Sequence, residues 1–193
     1  MNNTNNNTQN GGFIPKHGGY KNLISFQKAE IIYDATKYFT NRFYRKPDRT
    51  IDQMVQAARS GKQNIAEASM ASAMSKQTEI FLTNVAKASL EELELDYEDF
   101  LRTNKLPIWE KTNRLVVRFR EINRTPHANY QTYVKAIENE SHEICANSMI
   151  CLIKIVIYLL TKQIQQLEKD FLANGGIKER MTKARIENRN KQK

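Results

Sequence analysis

The chain has 193 residues, 40% hydrophobic and 26% charged, which suits one globular domain with room for an appendage and speaks against a disordered chain. Thirty Lys and Arg against 21 Asp and Glu leave a net charge of +9. That balance favours anionic partners, nucleic acid first and an anionic membrane surface second, or serves solubility alone. The longest apolar run, 149–160, is interrupted by Lys154 and is too short to span a bilayer. The opening MNNTNNNTQNGG has neither a basic nor an apolar signal-peptide region. A cytoplasmic protein with no membrane partner is therefore expected.

Residues 1–20 are polar and of low complexity, and are expected to form a disordered tail. A first helix is predicted over 23–43, where Phe26, Ala29, Ile32, Tyr33, Ala35, Phe39 and Phe43 recur at steps of three and four. Lys46-Pro47 stops it, because the residue before proline avoids the helical region. Asp48 is the expected N-cap of a second helix, with Ile51, Met54, Val55, Ala58, Ile65 and Ala66 as its stripe. Gly61 inside it costs roughly 1 kcal/mol against Ala. It marks either close approach of another helix or mere tolerance.

Ser75 is the expected cap of a third helix reaching about Arg102, with Leu82, Val85, Ala86, Ser89, Leu93, Tyr97 and Phe100 on one face. Glu91, Glu92, Glu94, Asp96, Glu98 and Asp99 crowd its second half, as a solvated face or as a contact for a basic neighbouring subunit. Leu106-Pro107 breaks the chain. A short helix carrying Trp109, Leu115, Val116, Phe119 and Ile122 follows, and Thr125-Pro126 breaks it again. A long helix is predicted over 130–172. Unbroken, it would reach on the order of 65 Å at about 1.5 Å per residue, so fraying or a kink is expected near its start. Asn174-Gly175-Gly176 is a stop signal. The tail 177–193 holds seven Lys or Arg and two Glu, and is expected to be weakly helical or disordered. Cys145 and Cys151, six apart on the long helix, do not face each other and read as reduced core residues. No strand pattern competes. The fold class is all-α: an antiparallel up-down four-helix bundle over 21–174, with 106–130 as an inserted helix and loops and 175–193 as a basic extension.

Several spaced motifs carry a resemblance. Ser60, Asn64, Ile65, Ala66 and Glu67 follow a Ser-x-x-x-Asn-Ile-Ala-Glu-Gly pattern, with Ala68 in place of the glycine. Ser75-Lys76 opens the next helix, and Asn84, Val85, Ala86, Ser89, Glu92 and Leu93 continue the pattern, with Thr78 at a usual glutamate. Tyr20 to Ala29 resembles the start of the same proteins, with Phe26 at a frequent tryptophan. Residues 20–102 thus resemble the bacterial four-helix-bundle family encoded in intervening sequences of ribosomal RNA genes, whose relatives are the accessory variability proteins of diversity-generating retroelements. Gly175-Gly176 and the tail resemble a suffix found on a longer subgroup. The resemblance implies a homo-oligomer, commonly a pentameric barrel. In the retroelement branch it implies a basic barrel that engages nucleic acid and a reverse transcriptase. Asn64 and Glu67, and Ser89 and Glu92, each three apart on a helix face, are expected to join as a polar network across helices or subunits, with Ser60, Ile65 and Ala66 as structural residues of the motif.

Catalytic signals are weak. Of the three histidines, His17 lies in the tail, His127 follows Pro126, and only His142 falls on a helix. Glu138, His142 and Cys145 share a face at metal-ligand spacing, but a fourth ligand is not evident and a partly buried polar patch accounts for them. No Glu-x-x-His pair, phosphate loop or nucleophile elbow is present. A non-enzyme with no cofactor is expected. Basic residues gather at Arg42, Arg45, Lys46 and Arg49; at Arg114, Arg118, Arg120 and Arg124; and in the tail at Lys178, Arg180, Lys183, Arg185, Arg189, Lys191 and Lys193. These are the expected nucleic-acid contacts, with Tyr38, Phe43 and Tyr44 near the first cluster. Of these aromatics Phe43 is expected in the core and Tyr44 free. The alternative is a scaffold that binds another protein, for which the acidic half of the third helix would matter equally.

Overall fold

Polar caps decide where the helices begin. The computed structural model describes residues 18–124 and 128–191, all helices and connections with no strand among them. The tail through His17, the Thr125-Pro126 break with His127, and Lys193 lie outside the described residues. A 3-10 turn at Tyr20–Asn22 leads into α1 (Ile24–Phe43). Gly18 and Tyr20, placed in the tail by sequence, are anchored. The Gly18 amide donates to the Ser69 carbonyl at 3.4 Å, and the Tyr20 ring meets Phe26 edge-on. The Asp48 carboxylate accepts from the Thr50 amide at 2.8 Å and starts α2 (Arg49–Ala71). The Ser75 hydroxyl accepts from the Thr78 amide at 3.1 Å and starts α3 (Lys76–Thr103). Asn113 caps α4 (Arg114–Asn123) in the same way.

The predicted helix over 130–172 is two elements. Asn129 and Thr132 form a capping box at the head of α5 (Tyr130–Ile137). After it, the Asn139 side chain accepts from the Ser141 amide at 3.0 Å, an alternative to the helical bond, and Ser141 caps α6 (His142–Asn174). Gly175, at φ +64°, closes α6. The basic tail then resumes as a regular helix, α7 (Ile177–Lys191), in which no residue is buried.

Four helices close a circuit. α1 packs on α2 and α6, α2 on α3, and α3 on α6. Phe39, Met54, Leu90, Leu93, Tyr97, Met149 and Leu152 fill the centre, each fully buried. Each such side chain contributes roughly 1.5–3 kcal/mol. Phe39 stacks on Phe43, Tyr97 and Phe100 with ring centroids 4.8–5.1 Å apart. The buried Tyr97 hydroxyl donates to Thr36 Oγ1 at 3.1 Å, so it is not left unpaired. Gly61 resolves the choice left by the sequence: a Cβ there would lie 2.8 Å from two carbons of Leu90, so it is a close-approach site between α2 and α3. One segment, running from α6 to the end of α7, contains an 18-residue window of mean hydropathy 2.0, long and apolar enough to cross a membrane. Buried residues make up 56% of that window, as they do in a core helix.

Candidate nucleic-acid interface

The inserted segment is fastened by polar bonds. After Pro107 the chain runs along the start of α6. The Trp109 amide donates to Asn147 Oδ1 at 2.8 Å, the Trp109 indole donates to Glu143 Oε1 at 2.9 Å, and the Asn147 amide group donates to the Pro107 carbonyl at 3.0 Å. α4 then inserts Val116 and Phe119, the latter against the Tyr133 ring at 5.4 Å. At its end the buried Lys28 of α1 donates to Asn123 Oδ1 at 2.8 Å and to the Tyr133 hydroxyl at 2.9 Å, while that hydroxyl donates to Asn123 Oδ1 at 2.7 Å. Burial holds the Lys28 ammonium below its usual range and pushes the Tyr133 phenol up to about 12. The sequence reading did not single out this trio. Its members lie up to 105 residues apart, and only the docked insertion joins them.

This fastening leaves the arginines of α4 outward. Arg114, Arg118, Arg120 and Arg124 are all exposed. Arg118 reaches Glu121 at 3.3 Å, and Arg120 donates to the Lys111 carbonyl at 3.4 Å. Lys105 and Lys111, also exposed, flank the helix. At the α1–α2 turn Arg42, Arg45, Lys46 and Arg49 are exposed too, with Asp48 and Asp52 among them. Arg42 lies over the Phe43 ring at 5.5 Å and donates a hydrogen bond to the Tyr38 hydroxyl.

The aromatics differ from expectation. Tyr44 is half-buried and packs on Phe100 and Phe39 at 5.5 and 6.3 Å; burial first, then Asp96, Asp48 and Asp99, push its phenol up to about 12. It is therefore part of the aromatic cluster, while Tyr38, like Phe43, lies beneath the exposed Arg42 guanidinium. The third cluster, Lys178, Arg180, Lys183 and Arg185, rides on α7, which packs substantially on no other element.

The motif residues divide. The Ser60 and Ser89 hydroxyls meet at 2.9 Å across the α2–α3 seam. Asn64 donates to the Ser60 carbonyl at 2.9 Å and to its hydroxyl at 3.2 Å. Ile65 is buried and Ala66 half-buried in the same helix. Glu67 and Glu92 point to solvent and take no part in these bonds. Glu92 lines a groove between α2 and α3 with Arg49, Asp52 and Gln56. The network thus pins one helix pair through small hydroxyls, and its two carboxylates stand outside.

Glu138, His142 and Cys145 do not converge. Glu138 accepts from the Tyr130 hydroxyl at 2.7 Å, and the exposed His142 ring lies edge-on to Phe43 at 5.8 Å. The Cys145 thiol donates to the Asn139 and Ile137 carbonyls at 3.1 and 3.3 Å, and burial pushes it up to about 11. Among the described residues, no group of three or more His, Cys, Asp or Glu side chains could hold a metal ion. The cysteines are both free thiols.

Compared with protein-family models, curated proteins and solved structures, the chain matches none.

Proposed function

We propose that the protein is a non-catalytic, homo-oligomeric helical protein that binds nucleic acid through the cations of the α1–α2 turn and of α4. The closed circuit of α1, α2, α3 and α6, with short links joining the first three, supports an antiparallel up-down four-helix bundle over 21–174, with 106–130 as its insertion. The observation that carries the binding reading is the state of eight cations: Arg42, Arg45, Lys46, Arg49, Arg114, Arg118, Arg120 and Arg124 are all exposed. Among the described residues only Arg118 of these has a carboxylate within ion-pair distance. Cations left to solvent can neutralise phosphates without first breaking an internal pair. Lys178, Arg180, Lys183 and Arg185 form a separate basic arm on α7, outside these two clusters. The resemblance adds a bacterial cytoplasmic setting, a pentameric assembly in which each patch repeats around the axis, and service to a nucleoprotein or reverse-transcriptase complex.

Fluorescence anisotropy with a labelled single-stranded RNA and a DNA duplex tests the reading. Contacts with about four phosphates would weaken RNA binding roughly 50-fold between 50 and 200 mM salt, from a slope of about −0.7 per contact. Absence of binding at 50 mM salt refutes it. A second reading, a scaffold for another protein, is favoured by one observation: the solvent face of α3 carries both acids and large apolar side chains. Charge reversal at Arg114 and Arg118 separates the two, since it weakens nucleic-acid binding and leaves a protein contact at α3 intact.

A further inference from the structure

Among the described residues α7 packs substantially on no other element, although the half-buried Arg180 has its Nε shielded from solvent. An isolated helix of about 15 residues is marginal in water, and in proteins such a segment is held by packing one face. Its pattern supplies that face. Ile177, Met181, Ala184 and Asn188 follow one another at steps of four, three and four, the spacing of a coiled-coil seam. Lys178, Arg180 and Arg185 flank that seam. Neither Met181 nor Ala184 is buried.

A matching seam lies on the body. Phe81, Ala88 and Leu95 of α3 stand seven residues apart on its solvent face, with Phe81 63% and Leu95 62% exposed. The seam spans about 21 Å at 1.5 Å per residue, close to the length of α7. Glu91, Glu92 and Asp99 border it, all exposed; Glu91 reaches Lys87 at 2.9 Å and Asp99 reaches Arg102 at 2.8 Å along the same helix, which leaves Glu92 without such a pair among the described residues. The acids crowd one another: burial first, then Glu92 and Asp99, raise the Asp96 carboxyl above its usual range. Two copies of this face repel, and so does a nucleic acid. A basic helix with an apolar stripe complements it in charge.

The chain's own α7 does not pack substantially on it. Lys154 of α6 reaches Glu94 and Glu98 of α3 at 3.2 and 3.5 Å, and Asn147, earlier in α6, meets Pro107 beyond the end of α3. α6 therefore runs opposite to α3 and ends beside its start. The following helix leaves from there, joined through Gly175 and Gly176, with the Glu179 carboxylate accepting from the Gly176 amide at 2.8 Å.

We infer that α7 of one copy docks along the Phe81–Ala88–Leu95 seam of α3 in a second copy, its Lys178, Arg180 and Arg185 facing Glu91, Glu92 and Asp99. The inference rests on the self-association proposed above and names the surfaces that make it. It assigns the arm to a protein contact and leaves polyanion binding to the two clusters on the body.

Light scattering coupled to gel filtration, with sedimentation equilibrium across about 1–100 µM, tests this on the full chain. A mass that is a multiple of 22.4 kDa is expected. Phe81→Ser with Leu95→Ser, and separately Glu91→Lys/Glu92→Lys/Asp99→Lys, should each weaken association at least ten-fold while circular dichroism stays unchanged. Adding Lys178→Glu/Arg180→Glu/Arg185→Glu to the triple lysine variant should restore it. A monomeric full chain throughout the range overturns both self-association and the docking. An oligomer that withstands both the seam variants and truncation after Gly176 overturns the docking alone. Loss in the triple variant without rescue by the reciprocal change also counts against it.

Discussion

The α2–α3 seam and the α4–α5 segment are held to the same body by different means. At the seam the contacts are volumes: Gly61 gives up its side chain so that Leu90 can occupy the space, and the Ser60–Ser89 pair is small enough to close the gap. At the α4–α5 segment Phe119, Tyr133 and Ile137 are buried, and polar anchors join them: Lys28 with Asn123 and Tyr133, and Asn147 with Trp109 and Pro107. Close packing tolerates little change in shape. Polar anchors tolerate shape changes but not the loss of a partner. The difference explains how one all-helical body presents a close-packed helix pair and a decorated flank, with the outward arginines on the second.

The largest expected effect breaks the volume side. Leu90→Ala should cost about 2–5 kcal/mol, read from urea unfolding. Gly61→Ala should cost about 1–3 kcal/mol by overpacking, partly offset by its better helix propensity. The double variant should be less destabilised than the sum of the two, because the new methyl enters the space that Leu90 vacates. Strict additivity would mean that the seam is not a shared volume.

Next comes Asn147→Ala, which leaves the Trp109 amide and Pro107 carbonyl without their partner. A loss of about 1–3 kcal/mol is expected, with hydrogen exchange speeding up over 106–124 well before it does in α2 or α3. Uniform acceleration across the chain would erase the contrast between seam and insertion.

Tyr133→Phe should be milder, about 1 kcal/mol near neutral pH, and it changes the alkaline limb. A phenol whose folded value is raised from 10.0 to about 12 contributes stability that is complete below pH 10 and lost as pH rises toward 12. Wild-type stability should thus fall between pH 10 and 12 more steeply than that of the Phe variant. Lys28 acts in the other sense. Its folded value lies below 10.5, so its burial penalty is fully present below that folded value and is relieved as pH approaches 10.5. An equal slope in the two proteins would remove the hydroxyl from the latch.

The smallest effect on stability belongs to Arg114→Glu with Arg118→Glu. Both are exposed and the Arg118–Glu121 pair is worth roughly 0.2–1 kcal/mol, so the melting temperature should shift by about 1–2 °C. RNA affinity at 50 mM salt should nonetheless fall at least ten-fold, with a shallower salt dependence.

What could be read in advance was local. Asp48 and Ser75 announce themselves as caps because the chemistry lies within three residues, and the helix stripes follow a short period. Gly61 flagged its own position but not its partner, since Leu90 lies on another helix. The break at Asn139 was expected only as a kink, because Asn and Ser compete with the helix through bonds that the apolar pattern ignores. The carboxylates Glu67 and Glu92 share the spacing of the network residues yet face water, because spacing along one helix does not say which side a neighbour covers. Lys28 was invisible as a latch because its partners enter from an insertion nearly a hundred residues away.

The Cys145 thiol, enclosed by two carbonyls where α5 meets α6, follows as a clock for that corner. Its side chain is fully buried, so a thiol reagent can reach it only during moments when the corner swings open. In a Cys151→Ser background, the modification rate would count those moments directly.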